Sequence, residues 1–126
     1  MRRLILASII ALFATTVFAQ EAPKFFSDTY PEYALKSALE AQDILQGKGA
    51  QLDAKTRELI GLAVAAQIPC TYCVYAHMKD ARAHGASESE IREAVATAAN
   101  VRHWSTVLNG MGYDFEAFKK EYDSAK

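Results

Sequence analysis

An all-α domain of five to six helices is predicted by three features of this sequence. No alternation of apolar and polar residues runs long enough to build a sheet. Apolar residues recur instead at three- and four-residue spacings, the period of a helix. The breaks between those stretches carry helix punctuation: Pro31, Asp53, Ser87 and Asp114 at starts, glycine or proline at stops.

The elements follow in order. Residues 20–30 read as an irregular lead-in. Pro31 suits a first helical position and opens a helix to about Gln46, closed by Gly47-Lys48-Gly49. Asp53 caps a second helix, whose Leu59, Ile60, Leu62, Ala63, Val64 and Ala66 leave so little polar face that burial on most sides is expected. Pro69 stops it. A third helix begins near Cys70 and closes at Gly85, a left-handed cap. Ser87-Glu88-Ser89-Glu90 forms a capping box that starts a long helix, ending at Asn109-Gly110. Asp114 caps a last short helix with Phe115, Phe118 and Tyr122 on its packing face.

Composition bounds the function. The chain has 126 residues, 51% hydrophobic and 23% charged, with a net charge of -1. Near-neutral charge argues against nucleic acid as a partner, and the apolar fraction against a disordered tail. Residues 1–19, MRRLILASIIALFATTVFA, have the pattern of a cleavable secretory signal: two arginines, an uncharged run, then Val17 and Ala19 at −3 and −1 of a cut before Gln20. The run from Leu4 to Ala19 is shorter than the 18 or so residues of a spanning helix, so no stable membrane insertion is expected after cleavage. A periplasmic or secreted domain of residues 20–126 follows, with a net charge of about -3 once Arg2 and Arg3 are gone.

The chemistry concentrates in one motif. Cys70-Thr71-Tyr72-Cys73 sets two thiols three residues apart at a helix start, on one face. The unpaired amides and positive dipole end there favour thiolate over thiol. His77 follows Cys73 by four residues, one turn along the same face, where an imidazole takes a thiol proton; it is two turns from Cys70. These residues alone leave three uses open: a redox pair, a structural disulfide, or a metal site with Glu58 as a fourth ligand. Haem attachment is excluded, because Val74 stands where its histidine would be.

The stretch from Leu52 to about Ala99 resembles the carboxymuconolactone decarboxylase-like superfamily, specifically its alkylhydroperoxidase D-like branch. The pattern is Glu58, eleven residues, Cys70-x-x-Cys73, three residues, His77. The resemblance implies an all-helical fold assembled as a homo-oligomer, a trimer or hexamer. It also implies an enzyme: a thiol–disulfide oxidoreductase with peroxidase activity, needing no metal or other cofactor. Cys73 would be the attacking thiol, Cys70 its partner in a redox disulfide, and His77 with Glu58 the proton relay. Peroxide or a protein disulfide or dithiol would be the substrate. Well-studied members carry a second histidine directly before the second cysteine, where this chain has Tyr72, a poor proton carrier at neutral pH. The lipoyl-protein donors of cytosolic members would be absent outside the cytoplasm, leaving a periplasmic reductant of another kind. The contrasting expectation is a non-enzymatic helical oligomer whose disulfide staples the motif helix.

Tyr72 and Tyr75 flank the motif as candidate pocket-lining residues, and His84 is a cap-region residue at a helix end. Trp104, beside His103, is expected in the core or at a subunit contact.

Overall fold

The structure is a computed structural model that describes residues 22–125; the signal-like segment 1–19 lies outside them. The described residues form six helices and no strand: α1 Lys24–Ser27, α2 Glu32–Gln46, α3 Ala54–Gln67, α4 Thr71–Ala83, α5 Glu88–Gly110 and α6 Phe115–Ser124. Two compact units divide within α2, one up to Leu39 and one from Glu40 onward. In the first, the expected irregular lead-in holds a single helical turn, α1, with Pro23 at its N-cap position and no side-chain cap.

The second unit is organised by local signals acting where the sequence puts them. The Asp53 carboxylate accepts from the Thr56 N–H at 3.0 Å and starts α3. Ser87 Oγ accepts from the Glu90 N–H while the Glu90 carboxylate accepts from the Ser87 N–H, the reciprocal capping box at the start of α5. Asp114 accepts from the Ala117 N–H and starts α6. At the end of α4, Gly85 has a φ of 84°. The Ala86 N–H reaches back to the Ala81 carbonyl and the Gly85 N–H to that of Arg82, the paired bonds of a Schellman cap. The end of α5 repeats this device two residues later than expected: Gly110 is still helical, and Gly112, with a φ of 60°, makes the turn.

α3, α4 and α5 pack together. The link between α3 and α4 is short, and the Cys70 N–H bonds to the Ala65 carbonyl, so α4 folds back antiparallel onto α3. Lys55 Nζ at the start of α3 donates to Glu90 near the start of α5 at 2.7 Å. At the other end of α3 the Gln67 amide donates to the Ala98 carbonyl and accepts from Arg102 Nε, both at 2.7 Å. α3 and α5 therefore run parallel, clamped at both ends. Leu62, Ala81, Ala86 and Ile91 form the core between the three helices, with Leu59, Val74 and Met78 partly buried against it.

The expectation that α3 is buried on most sides is corrected here. Only Glu58, Leu62 and Ala65 are buried, while Ile60 and Val64 are about half exposed. One helix pair covers one stripe of a helix, and α3 has apolar residues outside that stripe.

Candidate functional site

The buried stripe of α3 builds the site. Glu58, Gly61, Leu62 and Ala65 fall at i, i+3, i+4 and i+7, one face of the helix. Leu62 and Ala65 fill that face with apolar volume. Glu58, 7% exposed, is the buried charged residue among those described. A buried carboxylate needs a partner to offset its lost hydration. Its partner comes from α4: Glu58 Oε2 lies 2.7 Å from Nδ1 of His77.

That contact fixes the imidazole. Where the Glu58 carboxylate accepts, Nδ1 is the donor and Nε2 is the ring nitrogen that Glu58 does not engage. A long helical side chain leans toward the N-terminal turn of its helix. For His77 that is the turn holding Cys73, four residues earlier. Cys73 and the Glu58–His77 pair therefore share one face of α4.

Cys70 and Cys73 are joined in a disulfide, with their Cα atoms 5.3 Å apart. Cys70 is the N-cap of α4, and its Sγ accepts the Cys73 N–H at 3.2 Å. Sulfur thus occupies the place that aspartate or serine oxygen takes at the starts of α3, α5 and α6. Both cysteines are half-buried, so the bond is neither sealed in the core nor free of it.

The other residues singled out by the sequence lie around this constellation. Tyr72 is 89% exposed and Tyr75 is 70% exposed. The open groove beside α3, about 320 Å³, is lined by Thr56, Leu59, Ile60, Ala63 and residues of α5, and includes neither tyrosine. It lies on a different face of α3 from Glu58 and Gly61. His84 is the C-cap of α4. Trp104 is about half exposed, with the His103 ring edge-on to it. Phe118 stacks between Phe115 and Tyr122 on α6. Among the described residues, no three His, Cys, Asp or Glu side chains group as a metal site. No described helix is long and apolar enough to cross a membrane.

The residue that sequence reasoning passed over is Gly61. A side-chain carbon there would stand 2.5, 2.6 and 2.8 Å from Cε1, Nδ1 and Nε2 of His77. Its signal was present: glycine in a helix interior is about 1 kcal/mol less favourable than alanine, and Gly61 sits mid-α3, three residues after Glu58.

Comparison with known proteins places this site in a family context. Residues 33–113 match the carboxymuconolactone decarboxylase family, which spans the whole α3–α5 unit. A Paracoccus denitrificans protein described as uncharacterized protein 4 in cox locus is 43% identical over 51 residues, 40% of this chain and 46% of that protein. An uncharacterized protein of Haemophilus influenzae is 46% identical over 52 residues, 41% of this chain and 44% of that protein. The matched region thus spans less than half the length of each relative.

Proposed function

The chain belongs to the carboxymuconolactone decarboxylase family, and on that premise we propose that it is an exported thiol–disulfide oxidoreductase with peroxidase-type activity, working as a homo-oligomer. The observation that carries the reading is the buried Glu58 bonded to His77, one turn along α4 from a cysteine already paired as a disulfide. A structural staple needs no acid–histidine pair beside it.

In the reduced protein, Nε2 of His77 takes the Cys73 proton while Glu58 holds the ring and favours the imidazolium that forms. The Cys73 thiolate attacks the terminal peroxide oxygen. The O–O bond breaks, and the departing alkoxide or hydroxide takes a proton and leaves as alcohol or water. Cys73 is then a sulfenic acid. Cys70 attacks the Cys73 sulfur, the S–O bond breaks, water leaves, and the disulfide forms. Two electrons have passed from the thiol pair to the peroxide. A dithiol reductant outside the cytoplasm returns them by thiol–disulfide exchange and is itself oxidised to a disulfide. Tyr72, largely exposed beside Cys73, suits a surface that meets such a donor better than a buried proton path.

The test is direct. Reduced protein should lose two free thiols on peroxide treatment, and Cys73→Ser should abolish turnover. If Cys70→Ser and Cys73→Ser consume peroxide as fast as the wild type, the mechanism is wrong. A reduction potential below about −300 mV would instead mark a resistant structural bond.

A further inference from the structure

We propose that Gly61 is a positioning residue of the redox site: its bare backbone is the seat on which the His77 imidazole lies, and the seat sets the ring in register with Glu58. The proposal rests on the reading of Glu58–His77 as the proton relay and adds the group that holds the relay together.

The geometry is specific. A carbon on Gly61 would come within 2.5–2.8 Å of three adjacent ring atoms, Cε1, Nδ1 and Nε2. Near-equal distances to three bonded atoms place that carbon over the face of the ring; an approach along the ring edge would leave the flanking nitrogens much farther than Cε1. The imidazole thus lies flat against α3 at the one position of the stripe with no side chain. Carbon atoms pack at about 3.5–4.0 Å, so a methyl group would drive the ring off α3 by about 1 Å. The Glu58 carboxylate is on the same helix, one turn before Gly61, and cannot follow the ring outward without leaving its own buried site. A hydrogen bond of 2.7 Å does not survive that displacement. Elsewhere the chain gives glycine different work: Gly85 and Gly112 turn at positive φ, with open space where a Cβ would stand. Gly61 lies within a regular helix and is needed for room.

The consequence is that Gly61→Ala, which favours the helix it sits in, should leave the fold and remove the coupling between α3 and α4. The experiment is a cycle read by the NMR signals of the His77 ring nitrogens. In the wild type, Glu58→Gln should move the Nδ1 and Nε2 chemical shifts of His77, because it changes the group that Nδ1 contacts at 2.7 Å. In a Gly61→Ala background the same Glu58→Gln change should move neither, and reactivity of the reduced thiols near neutral pH should fall at least ten-fold, toward that of His77→Ala. The ring-nitrogen shifts read the pair whether or not the thiols turn over peroxide, so failure of the proposed activity and failure of this inference are separable. A second arm guards against misfolding: in a His77→Ala background the seat is vacant, so adding Gly61→Ala should leave the melting temperature equal or higher. Unchanged Glu58–His77 coupling in Gly61→Ala would overturn the proposal. So would a Gly61→Ala, His77→Ala protein that melts well below His77→Ala alone.

Discussion

Replacing Glu58 by glutamine keeps the shape of the proposed Glu58–His77 relay and removes the carboxylate. The side chain is nearly fully buried, and the bond to His77 Nδ1 is short at 2.7 Å, so solvent screens it little. A glutamine oxygen can still accept from Nδ1, but it cannot favour the imidazolium as a carboxylate does. Hydrogen bonds to charged groups contribute about 1.5–3 kcal/mol, and each 1.4 kcal/mol is about a factor of ten. If that difference is expressed in the proton transfer from Cys73, Glu58→Gln should slow peroxide reduction near neutral pH by about 10- to 100-fold, close to the span expected for general base catalysis. The assay is stopped-flow oxidation of the reduced protein across the neutral range, with alkylation of the thiols as an independent report of thiolate. Because the two residues act as one unit, Glu58→Gln added to His77→Ala should cost little more. A Glu58→Gln protein within two-fold of the wild type at every pH, or one whose loss multiplies fully with that of His77→Ala, would refute the relay.

Two further outcomes test the frame that holds the site. Leu62 is the largest fully buried side chain, at 0% exposure, so Leu62→Ala should lower unfolding free energy by about 2–5 kcal/mol in urea titrations; a loss under 1 kcal/mol would deny it the centre of the core. Glu90 bonds Lys55 and then the Ser87 cap, which pulls its carboxyl from 4.5 to about 2. A depressed carboxyl stabilises above its ordinary range and loses that contribution as pH falls through the folded value. The stability advantage of wild type over Glu90→Gln should therefore close between about pH 4.5 and 2, and an unchanged advantage at pH 2 would contradict the assignment.

What the sequence made legible was whatever depends on a few neighbours along the chain. Asp53, Asp114 and the Ser87–Glu90 box each place an oxygen three residues before an amide it can reach, and each helix starts where that oxygen stands. The all-helical class followed from the same signals, and the three-residue spacing of Cys70 and Cys73 made their disulfide one of the uses left open. Glu58 is a different case. Read alone it is one helix glutamate among many, because its burial and its partner His77 come from helices that fold back onto α3. The family resemblance singled it out; its neighbours in the chain did not. Gly61 escaped for the opposite reason, since periodicity counts side chains and the contribution of Gly61 is to lack one. The partial exposure of α3 was hidden too: a pattern of apolar residues describes a helix's faces, not how many helices are present to cover them.

The same contrast bears on how the two thiols divide their work in the proposed cycle. Spacing gives His77 to Cys73, one turn away, and leaves Cys70 two turns from any base. Yet Cys70 must itself act as a thiolate when it attacks the sulfenic acid. The helix start serves it instead: in the disulfide, Cys70 Sγ stands at the N-cap of α4 and accepts the Cys73 N–H at 3.2 Å. A negative sulfur there gains from the helix's unpaired amides and from the positive end of its dipole, with no side-chain base required. In the proposed cycle one thiol is therefore served by a side-chain relay that crosses between helices, and the other by the backbone of the helix it begins. Such a division would let a single histidine suffice for two cysteines. It also separates their sensitivities: substitutions at Glu58, Gly61 or His77 should slow the first, oxidising step and spare closure of the disulfide from a sulfenic acid already formed.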